Sequence, residues 1–176
     1  NSENISFEII NDMGIIYLNN VPHNYLEDPK FINLKEFQGW IENNKLKGLI
    51  FTGKGRHFSA GADRDKLFQL ASDGPKLKEK IRKGSEILKY ISEIEIPTMA
   101  AIKGACFGAG FEIALACHIR VCSEKSIFAF PEANLNLLPG LNGTVRLPGL
   151  VGIDNAVELL LSGDTIDSER AYELNL

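Results

Sequence analysis

Two stretches of the chain hold residue types that could do chemistry together. The first is Gly53-Lys-Gly-Arg-His-Phe-Ser-Ala-Gly-Ala-Asp63. The second runs from Ala101 to Glu112, as Ala-Ile-Lys-Gly-Ala-Cys-Phe-Gly-Ala-Gly-Phe-Glu, and continues to Phe130-Pro-Glu132 and Pro139-Gly140. Each sets a small-residue turn ahead of an acidic or helical element. Small residues let backbone N–H groups approach a ligand. A helix that starts just after such a turn adds a positive dipole end. Two turns of this kind could aim two amides at one carbonyl oxygen, as the stabilisation of an enolate requires. Glu112 and Glu132 could then move protons.

Those residues must be held by elements that the pattern also predicts. Ile5 to Ile10 and Gly14 to Leu18, separated by Asn11-Asp12, read as a β-hairpin. Phe31, Leu34, Phe37 and Ile41 recur at helical spacing. Leu46 to Thr52 reads as a buried strand that ends at Gly53. Lys66 to Ala71 reads as a short helix. Asp73-Gly74-Pro75 opens a long one through about Ile94, supported by Leu77, Ile81, Leu88 and Ile91. Pro97 stops it. Thr98 to Ile102 is a strand, Gly108 to Cys117 a helix and Ile119 to Ser123 a strand. Thr144 to Leu150, Ile153 to Leu161 and Asp167 to Leu174 close the chain as helices. Strands alternate with helices, so the class is α/β. No repeat, linker or low-complexity stretch appears, and residues 1–176 read as one domain. The stretch from Arg64 to Pro97 fits either a mobile lid or a plain surface helix.

Bulk properties narrow the function. With 176 residues, 44% of them hydrophobic and 24% charged, the chain can bury a substantial core. A net charge of −4 argues against a nucleic-acid partner. The basic run from Lys76 to Lys83 contains Glu79 and reads as a solvated helix face. Three cysteines, Cys106, Cys117 and Cys122, form no CxxC pair and read as reduced core thiols in a cytoplasmic setting. No apolar run approaches the ~20 residues of a membrane helix, so no membrane partner is expected. The chain begins at Asn1 rather than Met, which leaves room for residues before it.

The segments Gly53–Asp63, Ile102–Cys117 and Phe128–Gly152 resemble the crotonase, or enoyl-CoA hydratase/isomerase, superfamily. Three motifs occur in the family's order and spacing, and the resemblance spans nearly the whole chain. It implies a spiral of ββα units. It also implies an oxyanion hole from the backbone N–H groups of Ala60 and Ala109, the latter within Gly108-Ala109-Gly110. The two hydratase carboxylates fall on Glu112 and Glu132. Gly140 falls near the reacting end of the acyl group, and the backbone of Ala60, Gly61, Ala62 and Asp63 is expected to hold the CoA. The implied partner is an acyl-CoA thioester, or an acyl chain on a carrier protein. No metal and no cofactor beyond the substrate's own coenzyme A are implied. Family members form trimers, often paired as hexamers. They also continue beyond the position of Leu176 as a helical C-terminal region, which this chain is expected to lack.

Each residue also has a plainer reading. Glu112 lies in an otherwise apolar helix, where a purely structural carboxylate would be costly to bury. Glu132 could simply complement a helix start. Asp63 fits a helix cap better than a catalytic acid. His118 stands where relatives carry Asp and reads as a tolerated replacement. His57 reads as a solvent-facing loop residue, and His23 has no partner visible in sequence. Pro22-His23-Asn24-Tyr25-Leu26 only loosely matches the family's corresponding element, and Asn136 and Asn142 stand at positions that are commonly glycine.

The expected reaction is reversible hydration of a 2-enoyl-CoA. The alternatives are double-bond isomerisation, decarboxylation, or dehydration of a carrier-bound acyl chain. A non-catalytic scaffold is the alternative of another class. The presence of both glutamates favours hydration, since isomerisation can proceed with Glu132 alone.

Overall fold

The structure is a computed structural model and describes residues 4–176. Strand β1 (Ile5–Ile10) turns back into β2 (Met13–Leu18) through Asn11 and Asp12, both at positive φ. Asn and Asp tolerate that left-handed pair better than other side chains, and it matches the twist of a tight hairpin. Helix α1 (Leu34–Asn43) opens on a reciprocal cap. Asn33 accepts from the Glu36 N–H and its amide donates back to the Glu36 carboxylate. Phe37 and Ile41 of α1 face the core.

Strand β3 (Gly48–Gly53) then pairs with β2 in parallel, from Met13 opposite Gly48 to Leu18 opposite Gly53. Helices α2 (Arg64–Ala71) and α3 (Gly74–Glu93) follow. Strand β4 (Thr98–Ile102) leads through β5 (Ala105–Phe107) into α4 (Ala109–Ala116). Strands β6 (Ile119–Cys122) and β7 (Ile127–Ala129) are followed by a 3₁₀ turn over Pro131–Leu135. Helices α5 (Gly143–Val151) and α6 (Ile153–Ser162), strand β8 (Ile166–Asp167) and helix α7 (Ser168–Glu173) complete the chain.

Two sheets result. One has the order β1-β2-β3-β4-β6, and the other has the order β5-β7-β8. Each turn of the chain puts one strand in the first sheet and a shorter one in the second before a helical segment. That is β4, β5 and α4, then β6, β7 and the 3₁₀ turn. The segment after β3 does the same with one residue, because Ser59 bridges in parallel to Cys106 of β5. This is the spiral of ββα units that the resemblance implied.

Helix α4 is the centre of the spiral. All eight of its residues are buried. Such a helix is hydrophobic all round, as a core helix must be, and its one charged residue is Glu112. Helix α3 packs Ile87, Leu88 and Ile91 onto the same core cluster. Helix α2 buries nothing completely. No helix among the described residues is long and apolar enough to cross a membrane.

Two expectations about side chains change here. His57 is half-buried rather than solvent-facing. Its Nδ1 accepts from the Ala105 N–H at 3.0 Å, and burial, Arg56 and His23 hold it below its ordinary pKa. Cys122 is exposed, whereas Cys106 and Cys117 are buried as expected. His118 is a strand-end brace. Its Nδ1 accepts from the Thr98 N–H, its own N–H donates to Thr98 Oγ1, and its Nε2 lies 3.2 Å from the Ser92 carbonyl. Asn136 and Asn142 both sit at positive φ, 55° and 72°. That explains why glycine is common there and why asparagine can stand in for it.

Candidate active site

The first turn is fixed by a buried asparagine. Asn24 Nδ2 donates to the carbonyls of Lys54 and His57, both at 2.8 Å, and the Asn24 carbonyl accepts from Ser59 Oγ at 2.7 Å. Ser59 Oγ in turn accepts from the Gly61 N–H. The backbone of the turn is then pinned to the neighbouring loop. Leu26 N–H donates to the Gly61 carbonyl, and Asp63 N–H donates to the Leu26 carbonyl. The alternation leaves the amide of Ala62 pointing the other way, and it donates to no group among the described residues.

This geometry corrects the expectation for Ala60. Its N–H donates to the His23 carbonyl at 2.9 Å, so it is consumed by the turn's own bracing. The free donor is Ala62, two residues on. Sequence alone could not tell the two apart, because the choice depends on which side of the turn the His23–Leu26 loop covers.

The second turn lies against the first. A Cβ on Gly61 would stand 3.0 Å from the Phe107 carbonyl oxygen and 3.7 Å from the Ala109 nitrogen. Gly61, at φ +93°, has neither the space nor the backbone conformation for a side chain. Gly108 caps α4 at φ 49°. Ala109 is the first residue of that helix, where an N–H has no intrahelical partner, and no other group among the described residues takes it. Two free amides therefore sit on adjoining turns.

Both glutamates reach the same place. Glu112, one turn into α4, is 1% exposed. Its Oε1 accepts from the N–H groups of Leu141 and Gly143, each at 2.7 Å. Arg146 steadies that loop by donating to the Leu141 carbonyl. Glu132 stands at the start of the 3₁₀ turn. Its Oε1 fits over Gly108, where an added Cβ would come within 2.5 Å. Its Oε2 is buried and has no hydrogen-bond partner. An unsatisfied buried carboxylate oxygen is costly, which marks it as a group awaiting a ligand or holding a proton.

Electrostatics agree. Burial pushes Glu112 up to about 8, helped by the charge of Glu132 and opposed by the two N–H donors and Arg146. Burial pushes Glu132 up to about 7. Both carboxyls are therefore held well above the usual carboxylate range.

A cavity of about 180 Å³ opens between these groups. Ala62, Asp63, Ala109, Glu112, Glu132 and Gly140 line it. Leu26, Phe68, Leu77, Ile81 and Leu138 are among its apolar walls. Gly61 and Gly108 shape the turns behind it, and Ala60 stands outside its lining. Asp63 also caps α2, its carboxylate accepting from the Lys66 N–H at 3.0 Å. Sequence reading missed the positioning roles of Asn24, Ser59 and Arg146. The only signal was the Pro22–Leu26 segment, whose likeness to the family pattern is loose.

Residues 8–176 match the enoyl-CoA hydratase/isomerase family. The chain belongs to that family. Among solved structures it is similar to an enoyl-CoA hydratase subunit I of Geobacillus kaustophilus, at 32% identity and a TM-score of 0.82, over 97% of this chain and 66% of that one. DspI of Pseudomonas aeruginosa is 31% identical with a TM-score of 0.87, over 99% and 72%. An enoyl-CoA hydratase of Bacillus anthracis is 30% identical with a TM-score of 0.83, over 98% and 68%. The chain thus spans about two thirds of the length of these relatives.

Proposed function

We propose that the chain catalyses reversible hydration of a 2-enoyl thioester, carried on coenzyme A or on a carrier protein. One observation carries the reading: two free backbone amides and two carboxyls of raised pKa converge on one apolar cavity. The thioester oxygen accepts from the N–H groups of Ala62 and Ala109. Glu112 takes a proton from water, whose oxygen bonds to the β-carbon. The electron pair of the double bond moves toward the thioester, forming an enolate whose oxygen the two amides hold. Glu132 then delivers a proton to the α-carbon and the double bond of the enolate collapses back to the thioester. Dehydration runs the same steps in reverse, with the carboxyls exchanging roles. Each amide donor contributes about 2.7–4 kcal/mol to the charged state, and hydration proceeds from the form in which Glu132 carries the proton and Glu112 is ionised.

The pairing of two carboxyls supports hydration over isomerisation, which needs only one. The direct test is loss of the conjugated enoyl absorbance when crotonyl-CoA is mixed with the protein. A shift of the double bond without uptake of water would replace hydration by isomerisation.

Assembly as a homotrimer or hexamer is part of the same reading. Ile153, Val157 and Leu161 are spaced four apart on α6 and exposed, an apolar stripe that a second copy could cover. Light scattering tests it, and a monomer at high concentration would refute it.

A further inference from the structure

Beyond the reacting groups, the cavity is walled by hydrocarbon. Apart from Glu112 and Glu132, its only charged lining residues are Glu27 and Asp63. Asp63 is committed to capping α2. Apart from these four carboxyls no lining side chain is polar, so a tail that carried a hydroxyl, carboxylate or amide against the remaining walls would find no side-chain partner there. Such a tail would lose its hydration without compensation. A plain alkyl chain would gain from the same walls.

The walls also narrow. Gly140 sits on the loop whose next residue, Leu141, donates to Glu112. A Cβ built on Gly140 would lie 3.8 Å from Ile81 Cδ1 of helix α3. Position 140 therefore faces α3 across a gap that one methyl group would close. The same loop is locked to α3 one turn further on, where a Cβ on Gly84 would strike Leu141 Cδ2 and the Pro29 carbonyl. The gap cannot widen by moving α3 away from the loop without breaking that packing. Helix α2, which also lines the cavity, has no fully buried residue, and Phe68 is 50% exposed. One wall of the cavity is fixed and the other is held loosely.

We propose that Ile81, facing Gly140, sets the length of the acyl chain that the site accepts. This rests on the thioester reading of the site and adds to it a residue that determines specificity. Each methylene that fits adds about 0.8 kcal/mol of burial, close to a fourfold gain in affinity. The gain ends where the chain meets Ile81.

The experiment measures two profiles over chain length. One is kcat/KM for crotonyl-, hexenoyl-, octenoyl- and decenoyl-CoA. The other is the Kd of the matching saturated acyl-CoA thioesters by calorimetry, which needs no turnover. Both are run on the natural chain, Ile81→Ala, Ile81→Phe and Gly140→Ala, with circular dichroism confirming the fold. The natural chain should gain about fourfold per methylene up to one optimum and then fall. Ile81→Ala should move the optimum to a longer chain. Ile81→Phe and Gly140→Ala, which narrow the gap from opposite walls, should each move it to a shorter one. If Ile81→Ala failed to fold, the two narrowing variants would still decide the matter. Length profiles that coincide in the natural chain and the folded variants would overturn the Ile81 assignment alone. Binding with the expected profile but no hydration would overturn the reaction and keep the assignment. Failure of every acyl-CoA to bind would overturn both.

Discussion

Helices α4 and α2 flank the same cavity and are built in opposite ways. Every residue of α4 is buried, its cap is a glycine at positive φ, and its one carboxylate is held by two backbone donors. Helix α2 buries no residue fully and is fixed at its start by one aspartate cap. The chemistry stands on the first and the substrate wall on the second. A catalytic group must be held to within a fraction of an ångström, whereas a wall that meets a flexible alkyl chain can yield. Substitutions at the α4 end should therefore damage rate, and substitutions at the α2 end should damage binding.

The largest separation is expected from the carboxyls. Glu132→Gln and Glu112→Gln keep shape and remove proton transfer, so each should cut kcat for hydration by roughly 10²–10⁴ with the thermal transition retained. The enoyl absorbance assay reads this. Full hydration by Glu112→Gln together with loss in Glu132→Gln would place the chain with one-carboxyl enolate chemistry instead.

Next comes the amide at the start of α4. Ala109→Pro removes the N–H at the first helical position, where proline is well tolerated. It should lower kcat by roughly 10²–10³. Ala109→Val keeps the donor while adding bulk, and should lower kcat much less. Equal rates for the natural chain and a folded proline variant would remove Ala109 from the site.

The buried carboxyl also leaves a mark on stability. The pKa of Glu112 is raised in the folded chain, to about 8, above the usual carboxylate value of the unfolded chain. The folded state therefore keeps a proton that the unfolded state releases. That contribution is fully present below the unfolded pKa and is lost as pH rises through about 8. Glu112→Gln can still accept both backbone N–H bonds and has no charge to bury. Its Tm should exceed that of the natural chain increasingly from acidic to mildly alkaline pH, by roughly 6–12 °C for about 3 kcal/mol. A difference independent of pH would show that the Glu112 pKa is the same in the folded and the unfolded chain.

The same contrast explains what could be read from the chain directly. Helix α4, the long α3 and strand β4 were legible because their patterns are strong: a run apolar but for Glu112, a Pro-opened amphipathic repeat, and a strand between Pro97 and a glycine. Strands β5, β7 and β8 were not, being three, three and two residues long. Segments that short carry no period and exist through pairing with distant partners. Within the site, Glu112 and Glu132 were legible because a carboxylate in apolar surroundings is conspicuous. The free amide was not. Every residue of Ser59-Ala-Gly-Ala62 offers an N–H, and only the folded chain decides which one is left over: Ser59 donates to the Ala105 carbonyl, Ala60 to the His23 carbonyl and Gly61 to the Ser59 hydroxyl.

The smallest effect tests the loose end of the comparison. Asp63→Ala removes the side-chain acceptor for the Lys66 N–H while the backbone bond from Asp63 to Leu26 remains. Losing such a cap costs a helix roughly 0.5–2 kcal/mol. Because α2 buries so little, that cost should appear as local opening rather than global unfolding. Amide exchange within Arg64–Ala71 should accelerate several-fold while exchange in α4 stays as it was. Steady-state kinetics should show KM rising and kcat nearly unchanged, since Ala62, Ala109 and both glutamates keep their supports. The comparison would fail if Asp63→Ala lowered kcat as much as it raised KM. In that case α2 would be part of the machinery that holds the reacting groups, and not only a wall for the substrate's tail.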